Sequence, residues 1–337
     1  MDSQSRFDLL NGGVHSKWLH RFALLTAVTT FFLIFVGGLV KSHEAGLSVP
    51  DWPTTYGEFM LTFPYSKWVG NIFYEHSHRL LATLVGAFIT VEAIWLQLSK
   101  YGKKLKILGW IAFVGVCIQG YLGGLTVKYL LPTSISTGHS MLAQGVFCLT
   151  VTIALFTSKA WPNVERTLQT SSIDIRKLSA WTVGAIAFQI MLGALMRHEN
   201  AGLAIATFPL ANGRIIPEFT SSGIVLNFAH RVGALIASGF VLATVAVILR
   251  DYRYDRKLSR PAIFAVVVLL LQIALGAITI LSEKAVTPTT LHVSGGTLLL
   301  CTMLVISLQA YHHYESKAAK QEESLHREPA VIPSTIS

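Results

Sequence analysis

The amino-acid sequence predicts an all-α polytopic membrane protein with eight transmembrane helices, arranged as two parallel-repeat four-helix bundles. A low charge content, long apolar runs and an internal repeat indicate this fold. Charged residues make up 13% of the 337 residues and hydrophobic residues 52%, which is about half the charge fraction of an ordinary soluble domain. The mean hydropathy is +0.53. The sequence has no sustained period of two, so it does not favour a membrane β-barrel.

The apolar residues fall into eight runs, and each run is long enough to cross the hydrocarbon core, which needs about 20 residues as a helix. The runs cover about 18–41, 71–99, 105–127, 135–158, 177–197, 221–250, 260–282 and 287–312. They divide the chain into a first bundle and a second bundle, joined by a linker and flanked by two terminal segments. These five parts are residues 1–17, 18–158, 159–176, 177–312 and 313–337.

The basic residues predict the orientation of the chain. Of the 27 Lys and Arg residues, 19 lie on the side of the membrane that carries both termini. By the positive-inside rule this side is cytoplasmic, and the loops 41–70, 128–134, 198–220 and 283–286 face outward. We therefore expect a multi-pass protein of the cell inner (cytoplasmic) membrane. The net charge of +9 follows from this topology and does not indicate a nucleic-acid partner.

An internal repeat relates the two halves. The odd-numbered spans end in similar pentapeptides, and Gln119, Gln189 and Gln272 occupy matching places before three of them. Glycine pairs at these positions are expected to let helices approach closely, although glycine is common in membrane helices. Two outer segments, AGLSVPDWP and AGLAIATFP, begin at Ala45 and Ala201. The halves should therefore be parallel repeats about an axis along the membrane normal. The pentapeptides are VGGLV (36–40), LGGLT (122–126), LGALM (192–196) and LGAIT (275–279).

Four histidines recur at matching positions, one to two turns inside the outer end of each even-numbered span. His78 matches His230, and His139 matches His292. An ionisable residue inside a span is costly and marks a candidate functional site. The structural alternative is a hydrogen bond between helices, but a matched pair in each half favours a functional role. The histidines near the cytoplasmic helix ends are expected to face solvent or lipid headgroups.

Two imidazoles in each bundle fit a haem iron better than zinc, because zinc needs three or four protein ligands. His78 with His139, and His230 with His292, are therefore candidate metal ligands. Arg79 is a possible propionate contact in the first site, and a similar cofactor-binding role is expected of Arg231, unless both side chains extend to water instead. Several glycines are expected to make room for the porphyrin ring, unless they serve ordinary helix packing: Gly86, Gly145, Gly233 and Gly295 or Gly296.

The two halves differ beside the first histidine of each. Glu75 lies three residues before His78, whereas Asn227 lies three residues before His230. This spacing puts the carboxylate on the same helical face as the histidine. Glu75 is therefore the candidate catalytic acid or base, unless it caps the helix or pairs with Arg79. The first outer loop also contains the acidic residues Asp51 and Glu58. The first bundle is thus expected to do chemistry and the second to hold a permanent haem.

The order and spacing of several motifs resemble the haem A synthase family: GLVKSHEAGLSVPDWP (38–53), E-x-x-H-R (75–79), TGH (137–139), AHR (229–231) and LH (291–292). The resemblance implies that a methyl group of haem O is hydroxylated twice and becomes the formyl group of haem A. It implies that His78 and His139 hold the substrate, that Glu75 is catalytic, and that His230 and His292 ligate haem b.

The resemblance also implies haem O synthase and cytochrome oxidase assembly factors as partners, with the bilayer lipid around the spans. Some members of the family carry a cysteine pair in the first outer loop. The three cysteines of this chain all lie within spans, so a thiol–disulfide electron acceptor is not expected in this loop. The electron acceptor and the oligomeric state stay open.

Two other functions also account for the four histidines. One is a non-catalytic di-haem b cytochrome that carries electrons to or from a quinone. The other is a haem transfer protein that passes porphyrin to an oxidase. Neither function needs Glu75, so this carboxylate distinguishes the enzyme from both.

Overall fold

The computed structural model describes residues 15–161 and 167–315, and in these ranges it contains eight long α-helices. All eight are long and apolar enough to cross a membrane. The prediction of an all-α polytopic fold is confirmed, and every helix boundary lies within four residues of the predicted one. Most of the predicted terminal segments 1–17 and 313–337, namely residues 1–14 and 316–337, lies outside the described residues, as do residues 162–166 of the linker. The helices are α1 (Lys17–Ser42), α2 (Asn71–Leu98), α3 (Lys103–Lys128), α4 (Thr133–Phe156), α5 (Ile175–His198), α6 (Ser222–Asp251), α7 (Arg256–Leu281) and α8 (Val286–His313).

The largest difference from the predicted boundaries is at α7, which begins four residues before the apolar run. Asp255 caps this helix, since its carboxylate accepts from the backbone N–H of Lys257 at 2.9 Å. A capping carboxylate supplies an acceptor for the unpaired first amides and so allows the helix to start in a polar segment. Pro261 then lies in the second turn of α7.

The helices pack in the same order in both halves. In the first half, each helix packs on the next, and α4 returns to α1; in the second half, α5 to α8 make the corresponding contacts. The two halves meet along a seam formed by α1 and α4 on one side and α5 and α8 on the other. The division of the chain into two bundles, and the symmetry axis along the membrane normal, stay predictions.

A tightly packed apolar core fills one end of each half. In the first half it is built from the start of α1 and α3 and the end of α2 and α4, with Leu19, Ile89 and Leu105 fully buried. In the second half it includes Leu258 and Met303. This is the end predicted to face the cytoplasm. The four candidate ligands lie at the opposite end of each half, so the cores brace the helices from which these histidines project.

The ends of several helices are more tightly packed than the sequence indicated. His312 stacks on Trp161 with ring centroids 3.9 Å apart, His313 is only 6% exposed, and the Nδ1 of His20 is 3.1 Å from the carbonyl of Ala154. The expectation that the histidines near these helix ends face solvent or headgroups is wrong for His312 and His313. The reason is that the linker returns to the end of α8, where β1 (Thr167–Leu168) pairs in parallel with β2 (Tyr314–Glu315). His20 is half-buried and contacts the end of α4.

A half-buried arginine joins the two halves at the seam. The Nη2 of Arg197, at the end of α5, donates to the carbonyl of Gly38 at 2.9 Å and to the hydroxyl of Ser42 at 2.6 Å, both on α1. The Ser42 hydroxyl is also 2.9 Å from that of Thr290 on α8. Arg197 therefore links α1 of the first half to the second half, although sequence analysis counted it only as an outer charge.

We expect Arg197→Ala to destabilise the protein, because the Gly38 carbonyl and the Ser42 hydroxyl lose their shared donor. Hydrogen bonds to a charged group contribute roughly 1.5–3 kcal/mol, so the melting temperature in detergent should fall by several degrees. The control is Arg214→Ala, since Arg214 is paired with Glu218 at an exposed position. Equal melting temperatures for the two variants would contradict this role for Arg197.

Candidate functional site

Each of the four candidate ligands packs its imidazole against a glycine of the preceding helix. A Cβ added at any of these glycines would lie 2.9–3.2 Å from Cε1 of the ring, which is tighter than an ordinary van der Waals contact. A side chain there would therefore push the histidine away. The glycines are the first of the recurring small pairs, which sequence analysis assigned to helix approach. The pairs and Cβ–Cε1 distances are Gly37–His78 at 3.0 Å, Gly123–His139 at 3.2 Å, Gly193–His230 at 2.9 Å and Gly276–His292 at 3.1 Å.

The histidines form one pair in each half. His78 is close enough to His139 to interact with it electrostatically, and the same holds for His230 and His292. In the part of the chain that the structure describes, no group of three or more His, Cys, Asp or Glu side chains could hold a metal ion. Two imidazoles suit the axial positions of a haem iron.

The hydrogen bonding of His292 agrees with this fit. Its Nδ1 lies 3.1 Å from the carbonyl of Gln272, which fixes the proton on Nδ1 and leaves Nε2 for a metal. A histidine that ligates a metal commonly donates its other ring N–H in this way. The donor set present therefore fits a haem.

The glycines expected to make room for a porphyrin fall into two groups. A Cβ at Gly86 or Gly145 would meet nothing within 4 Å, so both border open space. Gly233 and Gly295 instead accommodate carboxamides, because a Cβ there would lie 2.3 Å from Gln189 Oε1 and 2.5 Å from Gln272 Oε1, respectively. For the neighbouring Gly296 the distance to Gln272 Nε2 is 3.1 Å.

Glu75 and Arg79 fasten the first outer loop to α2. Glu75 is 4% exposed; its Oε2 accepts from the backbone N–H of Val49 at 2.7 Å, and its Oε1 pairs with Arg79 Nη2 at 2.8 Å. Arg79 also donates to the carbonyls of Val49, Asp51 and Thr54 at 2.8, 2.7 and 3.0 Å. The predicted carboxylate is therefore buried at the site, and it also anchors the loop.

Asn227 and Arg231 hold the second outer loop to α6 in a related way. The Nδ2 of Asn227 donates to the carbonyls of Ala201 and Gly202, both at 3.0 Å, and its Oδ1 accepts from Arg231 Nε at 3.1 Å. Arg231 Nη2 donates to the carbonyl of Ile205 at 2.9 Å. The anchoring position thus carries an ionisable group in the first half and a neutral one in the second.

The predicted propionate contacts of the two arginines stay predictions. Most of the guanidinium hydrogen bonds described above go to loop carbonyls. Arg231 Nη1 is buried and has no hydrogen-bond partner among the described residues, so it retains a donor for a ligand.

The two outer loops have the same local turn. Isolated bridges pair Thr55 with Glu58 and Ala211 with Arg214. The peptide bond before Pro53 in the first loop and that before Pro209 in the second are cis. Asp51 accepts from Thr54 Oγ1 at 2.5 Å and from the N–H groups of Tyr56 and Gly57 at 2.8 Å.

Partial burial alone would raise the pKa of Asp51, but these hydrogen bonds outweigh it and hold the pKa below its ordinary value. Asp51 therefore closes the turn, and Glu58 pairs with Lys67 at the surface. These two acidic residues of the first loop have structural partners, which leaves Glu75 as the buried acidic group within one helical turn of His78.

Trp52 of the first outer loop packs on α3, a contact that sequence analysis did not predict. A Cβ at Gly124 would lie 2.6 Å from the indole ring, so the second glycine of LGGLT makes room for it. The C-terminal pentapeptides have Ala194 and Ala277 at this place. The difference between glycine and alanine was the signal for this contact.

Glu92 on α2 is a second residue that sequence analysis missed. It is 1% exposed, and both carboxyl oxygens lack a hydrogen-bond partner within the described ranges 15–161 and 167–315. It lies fourteen residues after His78, or about 21 Å along the helix axis. Thr244, the matching residue of α6, is instead 2.7 Å from Thr182. A carboxyl residue within an apolar span could have been identified from the sequence as a candidate functional residue.

Comparison with known protein families identifies the family of the chain. The model of the COX15-CtaA family, described as cytochrome oxidase assembly protein, matches residues 20–304. The chain belongs to this family. The matched range includes all four candidate ligands and Glu75.

Curated proteins named haem A synthase are similar to the chain over most of its length. The haem A synthase of Rickettsia bellii (strain OSU 85-389) is 27% identical over 316 residues, which cover 82% of this chain and 93% of that protein. The haem A synthase of Halalkalibacterium halodurans is 27% identical over 296 residues, covering 85% and 94%. That of Beijerinckia indica is 28% identical over 334 residues, covering 84% and 90%.

We expect Gly124→Ala to displace Trp52, because the new methyl group would lie 2.6 Å from the indole. The first outer loop should then open, and trypsin should cleave after Lys67 several times faster. The matched control is Gly120→Ala on the same helix, where a Cβ meets nothing within 4 Å. Cleavage fragments identified by mass report the rates, and equal rates in the two variants would show that Trp52 does not depend on Gly124.

Proposed function

We propose that the chain is a haem A synthase that oxidises the methyl group of haem O to the formyl group of haem A by successive hydroxylations. One observation carries the proposal: all four histidines pack on matching glycines, yet the buried residue one helical turn before the first histidine is the carboxylate Glu75 in the first half and the amide Asn227 in the second. A carrier of two equivalent haems needs no such difference. The family, and the names of its curated members, support the same reaction.

The first histidine pair, His78 and His139, holds the substrate haem O in this proposal. The second pair, His230 and His292, holds haem b as the cofactor. Haem b, when bound, supplies a one-electron redox centre. The Nδ1 contact of His292 with the Gln272 carbonyl supports a resident haem in the second half, since it orients the ring for ligation through Nε2.

Glu75 acts as the proton acceptor or donor beside the substrate. Its spacing from His78 puts the two side chains on one face of α2, and its burial excludes bulk water from the carboxyl group. The contacts with Val49 and Arg79 fix both carboxyl oxygens, so the proton is taken up or released at a defined position. A positioned carboxyl group of this kind contributes typically about 10²–10⁴-fold to a reaction rate.

The membrane orientation belongs to the same proposal. The distribution of Lys and Arg supports cytoplasmic termini and haem sites near the outer face of the inner membrane. The family description supports a place in the assembly of cytochrome oxidase. A haem O synthase that supplies the substrate, and assembly factors that accept the product, are the proposed partners.

We expect Glu75→Gln to abolish conversion of haem O to haem A while the bound-haem spectrum is retained. The amide keeps an oxygen that can accept from Val49 N–H, but it cannot exchange a proton in the same way. Haem extracted from membranes that also make haem O, identified by mass, measures the conversion. The control is Glu58→Gln, the same substitution at a surface position of the first outer loop.

Two results would overturn this role for Glu75. Normal haem A formation in Glu75→Gln would exclude a proton-transfer role for this residue. Loss of bound haem together with rapid cleavage of the first loop would show that Glu75 acts only as an anchor. If the unaltered protein binds two haems but never produces a formyl haem, the di-haem cytochrome or the haem transfer protein is the better assignment.

Removal of a second-half ligand tests the haem b site. We expect His230→Ala to halve the haem bound per chain and to stop haem A formation, because the second site loses an axial ligand. His43→Ala is the control, since His43 stacks on Tyr74 at the outer end of the first half. Haem and protein measured together give the stoichiometry. Unchanged haem content and activity in His230→Ala would disprove the second site.

A further inference from the structure

Six basic residues lie on the side of the protein that is predicted to face outward. Three of them have local partners: two form surface salt bridges with glutamates, and one lies over a tyrosine ring. The other three form no salt bridge within the described ranges, and they meet at the seam between the two halves. We call Lys41, Arg197 and Lys284 the seam cations. The partnered residues are Lys67 with Glu58, Arg214 with Glu218, and Lys128 over Tyr129.

The seam cations come from both halves of the chain. Lys41, in the last turn of α1, interacts electrostatically with Arg197 and Lys284. Lys41 and Arg197 are equivalent in the repeat, because each directly follows one of the recurring pentapeptides. Arg197 binds Gly38 and Ser42 through Nη2 alone. Its Nε and Nη1 groups donate to no atom of the residues that the structure describes, so they are available to a ligand.

Lys284 is the seam cation that helix electrostatics does not explain. A cation in the last turn of a helix is favoured by the helix dipole, and this accounts for Lys41 and Arg197 at the ends of α1 and α5. Lys284 instead lies directly before Ala285, the N-cap of α8, where the dipole disfavours a positive charge. Its side chain packs on the second outer loop, since a Cβ at Gly202 would lie 3.5 Å from Lys284 Cδ.

Three neighbouring positive charges at this position favour binding of an anion. Lys41 and Arg197 are half-buried, and like charges that are partly removed from water repel one another. Glu44 attracts Lys41, but this carboxylate is exposed and is a single charge against three. The seam cations are therefore suited to bind an anionic group of a ligand.

The seam cations adjoin the second candidate haem site. Arg197 acts electrostatically on His292. The Ser42 hydroxyl that accepts from Arg197 is also 2.9 Å from the hydroxyl of Thr290, two residues before this ligand. Arg197 and Lys284 both belong to the second half. A haem held by His292 would thus bring its charged groups to the neighbourhood of these cations.

We propose that the seam cations bind a propionate carboxylate of the haem in the second site. The porphyrin ring is largely apolar, whereas ionised propionates need cationic or hydrogen-bonding partners inside a protein. The free Nε and Nη1 groups of Arg197 supply oriented donors, and the two lysines supply further charge. This inference rests on the proposed function, which assigns haem b to His230 and His292. The contact predicted for Arg231 concerns a different donor and is independent of this one.

A haem ester separates carboxylate binding from a structural role. The full-length protein is loaded with haem b or with its dimethyl ester, which has the same ring but no charged propionate. Transfer to excess apomyoglobin gives the dissociation rates, and the second-site phase is the one that His230→Ala removes. We expect the ester to leave the second site about tenfold faster than haem b, because a hydrogen bond between charged groups is lost.

Substitution of Lys41 then identifies the partner of the carboxylate. Lys41→Met removes one charge but nearly retains the length of the side chain, and Lys41 makes no hydrogen bond within the described residues. We expect this variant to release haem b from the second site several-fold faster and to release the ester at an unchanged rate. Lys41→Met combined with Lys284→Met should have a larger effect. Lys128→Met is the matched control, since Lys128 lies in the last turn of α3 on the same side.

Three results would overturn the inference. Equal rates for haem b and the ester would show that the second site does not bind propionates by their charge. If Lys41→Met speeds the release of both compounds equally, Lys41 acts on the fold or binds a lipid phosphate instead. If only the first site responds, the cations serve the other haem. Should Lys41→Met not fold, Lys284→Met at its exposed position decides the question.

The same measurements distinguish this inference from the function on which it rests. In each of the three contrary results the protein still binds two haems, so the inference is wrong and the proposed function stands. If the unaltered protein binds no haem in the second site, the proposed function fails and the inference fails with it.

Discussion

The contact between an imidazole and a glycine is the constraint on which the rest of the structure depends. At each of the four places, a side chain larger than hydrogen would reach within about van der Waals distance of the ring or closer. The glycine therefore fixes how closely two helices approach and where the histidine points. Because the contact recurs four times, it sets one depth for both pairs. The apolar cores at the other end of each half hold the helices in the spacing that this contact requires.

A second recurring arrangement, an arginine anchor, fixes the two outer loops. The residue that pairs with the arginine differs between the halves, and this difference bears on the chemistry. An arginine directly after the first histidine of each half ties loop carbonyls to the helix. The residue four positions before this arginine is Glu75 in one half and Asn227 in the other. Both hold the loop, so the anchor does not require a carboxylate. The ionisable group at this position is specific to the first half, which is why Glu75 is the candidate for proton transfer.

Much of the fold could be predicted from the sequence, because long apolar runs and the repeat carry strong signals. The candidate ligands were found for the same reason, since four buried histidines at matching positions are conspicuous. Contacts between segments distant in the sequence could not be predicted. The glycine at position 124 indicates a close contact but does not identify Trp52 as its partner, and nothing near Arg197 indicates that it reaches Gly38. The packing of His312 and His313 was mispredicted because it depends on the return of the linker to α8.

The two halves are joined close to two of the candidate ligands, His78 and His292. Gly37 packs on His78, while a Cβ at the next residue, Gly38, would lie 3.3 Å from the methyl group of Thr290, two residues before His292. Two adjacent residues of α1 thus contact α2, which carries His78, and α8, which carries His292. Arg197 binds α1 at the same place, since its guanidinium donates a hydrogen bond to the Gly38 carbonyl. A change in the position of α1 that accompanies binding in the first site would therefore also change the packing of α1 on α8. Because both glycines lie in VGGLV, one pentapeptide supports a ligand of the first site and the seam to the second.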